Sequence, residues 1–460
     1  MGNHADINVS KKVVLFIATM VSFLGPFMGS AFNIALPSIG KDLGIDAVLL
    51  TWTSTSFLVA AAVFLIPFGR LADIHGRKKI FTYGIVIWTV SSVLSAISTS
   101  AAMLIAFRIL QGIGGAMTFG TAVAILTSAF PASERGKVLG INVAAVYFGL
   151  SMGPFLGGLL TQHFGWRSVF LVNLPLGIII ITFVFWKLKG EWAEARGEKF
   201  DLSGSIIYGL SIVALMVGLS LLPSATAIWP AVAGMLGIAV FIWWEKRIES
   251  PVLHMDLFRN NPVFAFSNLA ALINYAATFA ATFLMSLYLQ YNKGFTPQIA
   301  GLYLVSMPAM QAIFSPIAGR LSDRIEPRIL ASLGMAVTTI GLGMLIFLNQ
   351  DTNMGFILTS LIILGLGFGL FSSPNTNAVM SSVEKRSYGV AAATLGTMRQ
   401  LGMILSMGIA MITFVLFIGR VEITPEYYPA FIRSLNIAFI VFTALCFAGI
   451  FASLARGKIR

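Results

Sequence analysis

Charged residues are so unevenly spaced along this chain that the gaps between them read as membrane spans. A helix needs about 20 apolar residues to cross a bilayer core, and a central Lys, Arg or Asp there costs at least ~2.5 kcal/mol. Val13 to Gly40, Ala47 to Gly69, Ser168 to Trp186, Gly294 to Gly319, Ile329 to Gln350 and Ser434 to Ala455 each fit one helix. Leu202 to Trp244 carries no charge and, broken at Pro223, fits two; Ile80 to Ser133, interrupted only by Arg108, also reads as two. Val138 to Gln162, Pro262 to Gln290, Met354 to Met380 and Tyr388 to Phe417 complete a set of fourteen. The pattern predicts an all-α membrane protein whose termini share one side, because the count is even.

Composition agrees: 57% of the 460 residues are hydrophobic and 10% are charged, where a soluble domain carries roughly 25% charged residues. The net charge of +12 is a topological signal, since short basic loops stay cytoplasmic. With the N-terminus inside, the inner segments hold 23 Lys and Arg, whereas the outer loops hold Lys41, Arg167, Lys293, Arg420 and Arg433. Both termini are therefore expected to be cytoplasmic, in the cell membrane, and no nucleic-acid partner is needed to explain the charge. The first span is too long for a signal peptide and lacks a small-residue cleavage site, so it reads as a retained helix. Cys446 is the single cysteine, without a disulfide partner or metal-ligand neighbours, so no cofactor or metal is expected. No span holds paired acids or a His or Cys nucleophile, which argues against an enzyme.

Two charged stretches punctuate this apolar chain: "GRLADIHGRKKI" at residues 69–80 and "GRLSDRIEPRIL" at 319–330. Each is expected to be an inner loop. Their acids, Asp73 and Asp323, stand 250 residues apart, and an internal repeat at that distance implies two structural halves, as in carriers that rock about a midplane site. Six spans per half leave spans seven and eight as an insert. The expected organisation is residues 1–190 as one six-helix bundle, 191–261 as the insert with its inner loops, and 262–460 as the second bundle. Anchoring at lipid headgroups would require Lys and Arg but neither the Gly nor the Asp, and the paired repeat disfavours a channel.

The first stretch resembles the loop 2–3 signature of the major facilitator superfamily at nearly every position. "LIAFRILQGIGGAM", Leu104 to Met117, resembles the fourth-helix signature through Arg108, Gln111, Gly112, Gly114 and Gly115. "GINVAAVYFGLSMGPFLGG", Gly140 to Gly158, resembles the fifth-helix antiporter signature through Gly149, Gly153, Pro154, Gly157 and Gly158. "WRSVFLVNLPLG" and "EKRIESPVLHMDLFRN" are similar to segments of the fourteen-helix drug:proton antiporter branch, as is the two-helix insert. The resemblance implies the major facilitator fold, two six-helix bundles plus two extra helices, with alternating access and export. It also implies a cytoplasmic gate at the loop 2–3 signature and a coupling role for Arg108, with Gln111 beside it.

In the gate, Gly69 is expected to permit close helix approach, while Asp73 can pair with Arg77 beyond Gly76 or accept from helix N-terminal N–H groups. The second copy has Glu326 and Pro327 where Gly76 and Arg77 stand, so a weaker latch is expected there, carried by Asp323 and Arg324. Gly149, Gly153 and Gly157 form a small-residue face on which helices can touch, and Pro154 is expected to bend the helix. Arg108 lies about 10 Å deep if its helix starts near Ala102, and Arg399 lies deeper. Intramembrane charges usually face a cavity or a partner.

A proton antiporter normally offers a buried carboxylate or His, yet the 18 acids and four His of this chain map to loops, termini or helix ends. The first-helix acid common in the branch is absent from "FMGSAFNIALP", where Met28 stands. Coupling is left to Asp73 or another membrane-edge acid, or to Arg108 and water, or is absent. Arg108 and Arg399 favour anionic, zwitterionic or neutral amphiphiles. Candidate lining groups are Asn33, Tyr147, Asn274, Tyr275, Gln311, Asn375 and Arg399, with Met152, Met285 and Met310 as adaptable apolar surface. The expected function is proton-coupled export of hydrophobic or amphiphilic small molecules, of the multidrug type, by a monomer. The alternative is an exporter or uniporter of an anionic or neutral metabolite without a buried-carboxylate proton site.

Overall fold

The computed structural model describes residues 11–457 apart from 189, 194, 223, 249–257, 260 and 385–387, and the side chains of 132, 133, 135–137, 388 and 389 lie outside the description. Among the described residues, fourteen helices are long and apolar enough to cross a membrane. They are α1 (Lys11–Leu43), α2 (Ala47–His75), α3 (Arg77–Ala96), α4 (Ala101–Ala129), α5 (Ala132–Phe164), α6 (Arg167–Lys187), α7 (Leu202–Leu221), α8 (Ala225–Glu245), α9 (Pro262–Tyr291), α10 (Pro297–Ser322), α11 (Pro327–Leu345), α12 (Met354–Ser381), α13 (Tyr388–Phe417) and α14 (Pro425–Ala455). Pro223, expected to break the seventh span from the eighth, and most of the stretch from Glu245 to Asn260 lie outside the described residues.

Local chemistry starts these helices. Backbone N–H groups of the first turn have no helical partner, and a side-chain oxygen just ahead can accept from them. Asp46 accepts from Leu49 N at 2.7 Å, Ser100 from Met103 N at 3.3 Å, Asp201 from Gly204 N at 2.9 Å and Asn261 from Phe264 N at 3.0 Å.

The first charged stretch is helical on both sides of a single-residue break, and the second holds a loop of only four residues, 323–326. Residues 69–75 form the last turns of α2, which ends only at Gly76, where φ is +116° and α3 begins on the next residue. A side chain with a Cβ is strained at that φ, so glycine makes the abrupt break possible. Long basic side chains near a helix end reach water while their stems stay on the helix, so charge does not terminate it. In the second copy α10 runs to Ser322 and α11 opens with Pro327, a residue suited to the first helical position.

Helices α1–α6 and α9–α14 form two bundles with one pairing pattern. Helix α1 packs on α5, α2 on α4, and α3 on α4 and α6; likewise α9 packs on α13, α10 on α12, and α11 on α12 and α14. The insert helices pack on each other through glycines: a Cβ on Gly218 would lie 2.5 Å from Ala231 N, and one on Gly234 would lie 2.6 Å from Leu215 N. The insert sits at the seam of the bundles. Tyr208 donates to Ala62 O of α2 at 3.4 Å, and Arg420, just after α13, donates to Ser220 O at 3.2 Å.

The end of the molecule carrying residues 69–80 and 319–330 is termed the basic face, and its opposite the far face. Among the described residues, hydrogen bonds between the bundles cluster toward the far face. Ser286 donates to Asn33 O at 2.6 Å, Gln290 to Ile34 O at 3.0 Å, and Ala47 N to Val421 O at 3.1 Å. At mid-span the Tyr147 hydroxyl of α5 and the Ser315 hydroxyl of α10 share a 2.9 Å bond.

Candidate functional site

At the basic face, the break at Gly76 sets Asp73 and Arg77 on consecutive helices yet one turn apart. Arg77 donates from Nε and Nη2 to Asp73 Oδ1 at 2.8 and 2.7 Å, and from Nη1 to Ser128 Oγ of α4 at 2.5 Å. The segment after α6 then docks on this break. Glu191 accepts from Lys78 N at 2.7 Å and Lys79 N at 3.2 Å, placing a carboxylate at the positive N-terminal end of α3. Arg77 N donates to Trp192 O at 2.8 Å, Ala195 N to Asp73 O at 3.0 Å, and Arg70 to Glu198 at 2.5 Å. Glycine at 76 also makes room, because a Cβ there would overlap the Glu191 side chain. Gly69 does not mark a close approach: a Cβ on it would meet nothing within 4 Å. In the second copy, Asp323 and Arg324 are exposed, and Asn377 reaches Asp323 Oδ1 at 3.4 Å and Ser322 Oγ at 2.9 Å.

Arg108 sits inside the first bundle, 2% exposed. Its guanidinium lies 4.3 Å from the centre of the Phe32 ring and 4.5 Å from that of Phe57. A ring face carries negative potential, so this sandwich offsets part of the cost of burying the charge. The guanidinium also donates to Thr53 O at 3.1 Å and Gln111 Oε1 at 2.5 Å, and Gln111 passes a hydrogen bond to Ser92 Oγ at 2.7 Å. Among the described residues no carboxylate pairs with it. Met28, at the position of the missing acid, accepts instead from Asn173 Nδ2 at 3.0 Å.

A second polar cluster lies at mid-span in the other bundle and reaches the first. Arg399 on α13 donates to Thr376 Oγ1 of α12 at 2.6 Å, and its guanidinium stands 5.7 Å from the centre of the Tyr275 ring on α9. Phe368 meets Tyr275 edge-on at 5.3 Å, and the Tyr275 hydroxyl is within electrostatic reach of Tyr147. Tyr147 belongs to α5, so the cluster bridges the bundles.

The fifth-helix glycines are contact points of two kinds. Gly149, Gly153 and Gly157 face α1: a Cβ on Gly149 would lie 2.5 Å from Phe23 O and one on Gly157 2.6 Å from Ala31 Cα, while one on Gly153 would overlap Ser30. Gly158 faces the other bundle, where its Cβ would lie 2.5 Å from Pro297 O, and Gly301 of α10 presses in return on the Pro154 carbonyl.

The other proposed lining residues are not gathered at this cluster by their contacts. Asn375 donates to Ser267 O at 3.1 Å and accepts from Arg456 at 3.0 Å, inside the second bundle. Arg456 is fully buried and also bonds Ser267 and Ser453. Burial draws its guanidinium down to about 10, with Glu326 pulling the other way, so it is charged at neutral pH. Asn274 is fully buried with no partner among the described residues for either side-chain polar atom, Met285 belongs to the core, and Asn33 meets the other bundle through its backbone carbonyl. Gln311 is 5% exposed, beside Gly369 of α12. Glu191, Trp192, Ser128 and Arg456 escaped the reading of the sequence. Arg456 passes for a terminal basic residue, and Glu191 for one of many loop acids; only the three-residue-periodic hydroxyls of "SSVLS" hinted at polar partners near Arg108.

Two matched six-helix bundles, joined by hydrogen bonds toward one face and sharing polar groups between them, define a membrane carrier. The family model described as Major Facilitator Superfamily matches residues 15–407, and the chain belongs to this family of transporters. It is 28% identical over 440 residues to the riboflavin transporter RibZ of Clostridioides difficile (strain 630), covering 96% of each chain. It is 30% identical over 401 residues to the multidrug resistance protein Stp of Mycobacterium tuberculosis (strain CDC 1551 / Oshkosh), covering 85% of this chain and 74% of that one. In fold it is similar to a bacterial homolog to the human lysosomal transporter Spinster, in an inward-facing and unoccupied conformation, with a TM-score of 0.66 and 18% identity over 99% of this chain and 98% of that one. The protein is thus a multi-pass transporter of the major facilitator fold, with a small-molecule substrate, and not an enzyme.

Proposed function

We propose that this transporter exports hydrophobic or amphiphilic small molecules by alternating access, with proton entry driving the cycle. The observation that carries the reading is the mid-span cluster of Arg399, Tyr275, Tyr147 and Ser315, supplied by both bundles and lying between a sealed far face and a basic face where the Asp73–Arg77 gate is held within its own bundle. Residues 1–190 and 262–460 would rock against each other, with 191–261 as the intervening insert and the basic face toward the cytoplasm, in a cell membrane. The similarity to a multidrug resistance protein supports export. Without a carboxylate among the described partners of Arg108, the proton would be carried by Asp73 at the membrane edge or by water beside Arg108 and Gln111.

A second reading, carriage of an anionic or neutral metabolite without proton coupling, is favoured by the absence of a carboxylate pairing with Arg108 or Arg399 among the described residues. It is also supported by similarity to a riboflavin transporter. Proteoliposomes with an imposed pH gradient and a panel of cationic, neutral and anionic amphiphiles separate the two. Coupled export predicts accumulation that collapses with the gradient, and gradient-independent exchange rejects the proton claim.

A further inference from the structure

We infer that Arg399 and the aromatic wall beside it form the binding site for an aromatic anion, in which a carboxylate or a similar acidic group docks on the guanidinium and the ring stacks against Tyr275 and Phe368. This deepens the transport reading above and rests on it. A charge placed in a membrane span is retained where it faces water, a partner or a ligand. Arg399 has one described hydrogen-bond partner, Thr376 Oγ1 at 2.6 Å, while its Nε is buried with no partner among the described residues. Among the described residues no carboxylate neutralises it.

The two intramembrane arginines therefore differ in kind. Arg108 is closed in on both faces by Phe32 and Phe57 and uses its donors on Thr53 O and Gln111. Arg399 is half-buried, with an aromatic ring on one side and unfilled donor capacity. The helix that carries it, α13, also packs on α2 of the first bundle. A fork of N–H donors takes a planar carboxylate in two parallel hydrogen bonds. An aromatic face next to it adds offset stacking for a ring attached close to that carboxylate. A cationic amphiphile would meet the same guanidinium as a like charge.

The test uses purified protein in proteoliposomes and three radiolabelled probes of matched shape: 1-naphthylacetate, 1-naphthylacetamide and 2-(1-naphthyl)ethylamine. Counterflow exchange and equilibrium binding are expected to favour the naphthylacetate and to disfavour the amine. Arg399→Gln should weaken naphthylacetate binding about 10- to 100-fold, the range for losing a hydrogen bond to a charged group, and should bring it level with the amide. Arg399→Lys should retain part of the preference, and Thr376→Val, which keeps the charge and frees a donor, should preserve it. Size-exclusion profiles establish that each variant is folded. The inference fails if Arg399→Gln weakens all three probes equally, as a helix-holding role would. It also fails if the amine binds best, or if naphthylacetate does not bind while other amphiphiles are exchanged. A protein that exchanges no compound of any charge would reject the transport reading together with the site.

Discussion

Tyr147 of the first bundle and Ser315 of the second are joined hydroxyl to hydroxyl at 2.9 Å across the interface of the bundles. Such a bond is made in one arrangement of the bundles, and a net hydrogen bond is worth about 0.5–1.5 kcal/mol. Tyr147→Phe should therefore move the balance between the two access states about 2- to 10-fold toward an open far face. A cysteine introduced at Gln298, beside the Gly158 contact at that face, reports the shift as faster alkylation; native Cys446 is buried and adds little background. An unchanged rate would show that this bond does not bias the cycle.

The adjacent glycines 157 and 158 should separate folding from cycling. Gly157 touches α1 within its own bundle, whereas Gly158 touches Pro297 of the other. Overpacking costs about 1–3 kcal/mol in either place. For Gly157→Ala the cost should fall on the fold, lowering Tm. For Gly158→Ala it should fall on the state with a sealed far face, accelerating alkylation at Gln298→Cys and reducing transport at nearly unchanged Tm.

The docked segment after α6 depends on Glu191, which supplies acceptors to two orphan N–H groups of α3. Loss of a helix cap costs about 0.5–2 kcal/mol. Glu191→Ala should loosen the segment and raise the rate of tryptic cleavage at exposed Arg196 several-fold, whereas Glu198→Ala, which removes only a solvent-exposed ion pair with Arg70, should have a smaller effect. Equal cleavage of both variants would show that the cap does not hold the segment.

Arg456 ties the end of α14 to α9 and α12 through Ser267 and Asn375. Arg456→Met leaves Asn375 Oδ1 without its donor, at about 1–3 kcal/mol. Adding Asn375→Leu removes the orphaned group, so the double variant should recover part of the lost Tm, a coupling that a double-mutant cycle measures directly. Additive losses would mean that the two residues act independently.

The Asp73–Arg77 pair illustrates how far local reasoning reaches. Asp73 and Arg77 were legible as a pair because opposite charges lie close along the chain, whereas the break at Gly76 that brings them together from two consecutive helices was not. Gly69 was misread because a small residue next to a charged turn looks the same whether it faces a neighbouring helix or open space. The stretch itself was read as a loop because it is charged, yet the backbone stays helical until Gly76 permits the turn.

Hydrocarbon thickness and the cost of buried charge act on every 20-residue window independently, so the fourteen spans, the paired stretches and the glycine face of α5 were all readable along the chain. Which groups meet was decided by packing between helices far apart in sequence: Arg399 with Tyr275, Arg456 with Asn375, Glu191 with the start of α3. Such partners leave no periodic trace, because an arginine with a ring beneath it and an arginine at a helix end are the same letter. The sequence alone determined that this chain spans the membrane and in what repeated order. Tertiary structure decided which of its charges are sealed, which are paired, and which one stands beside an aromatic wall with a donor unfilled.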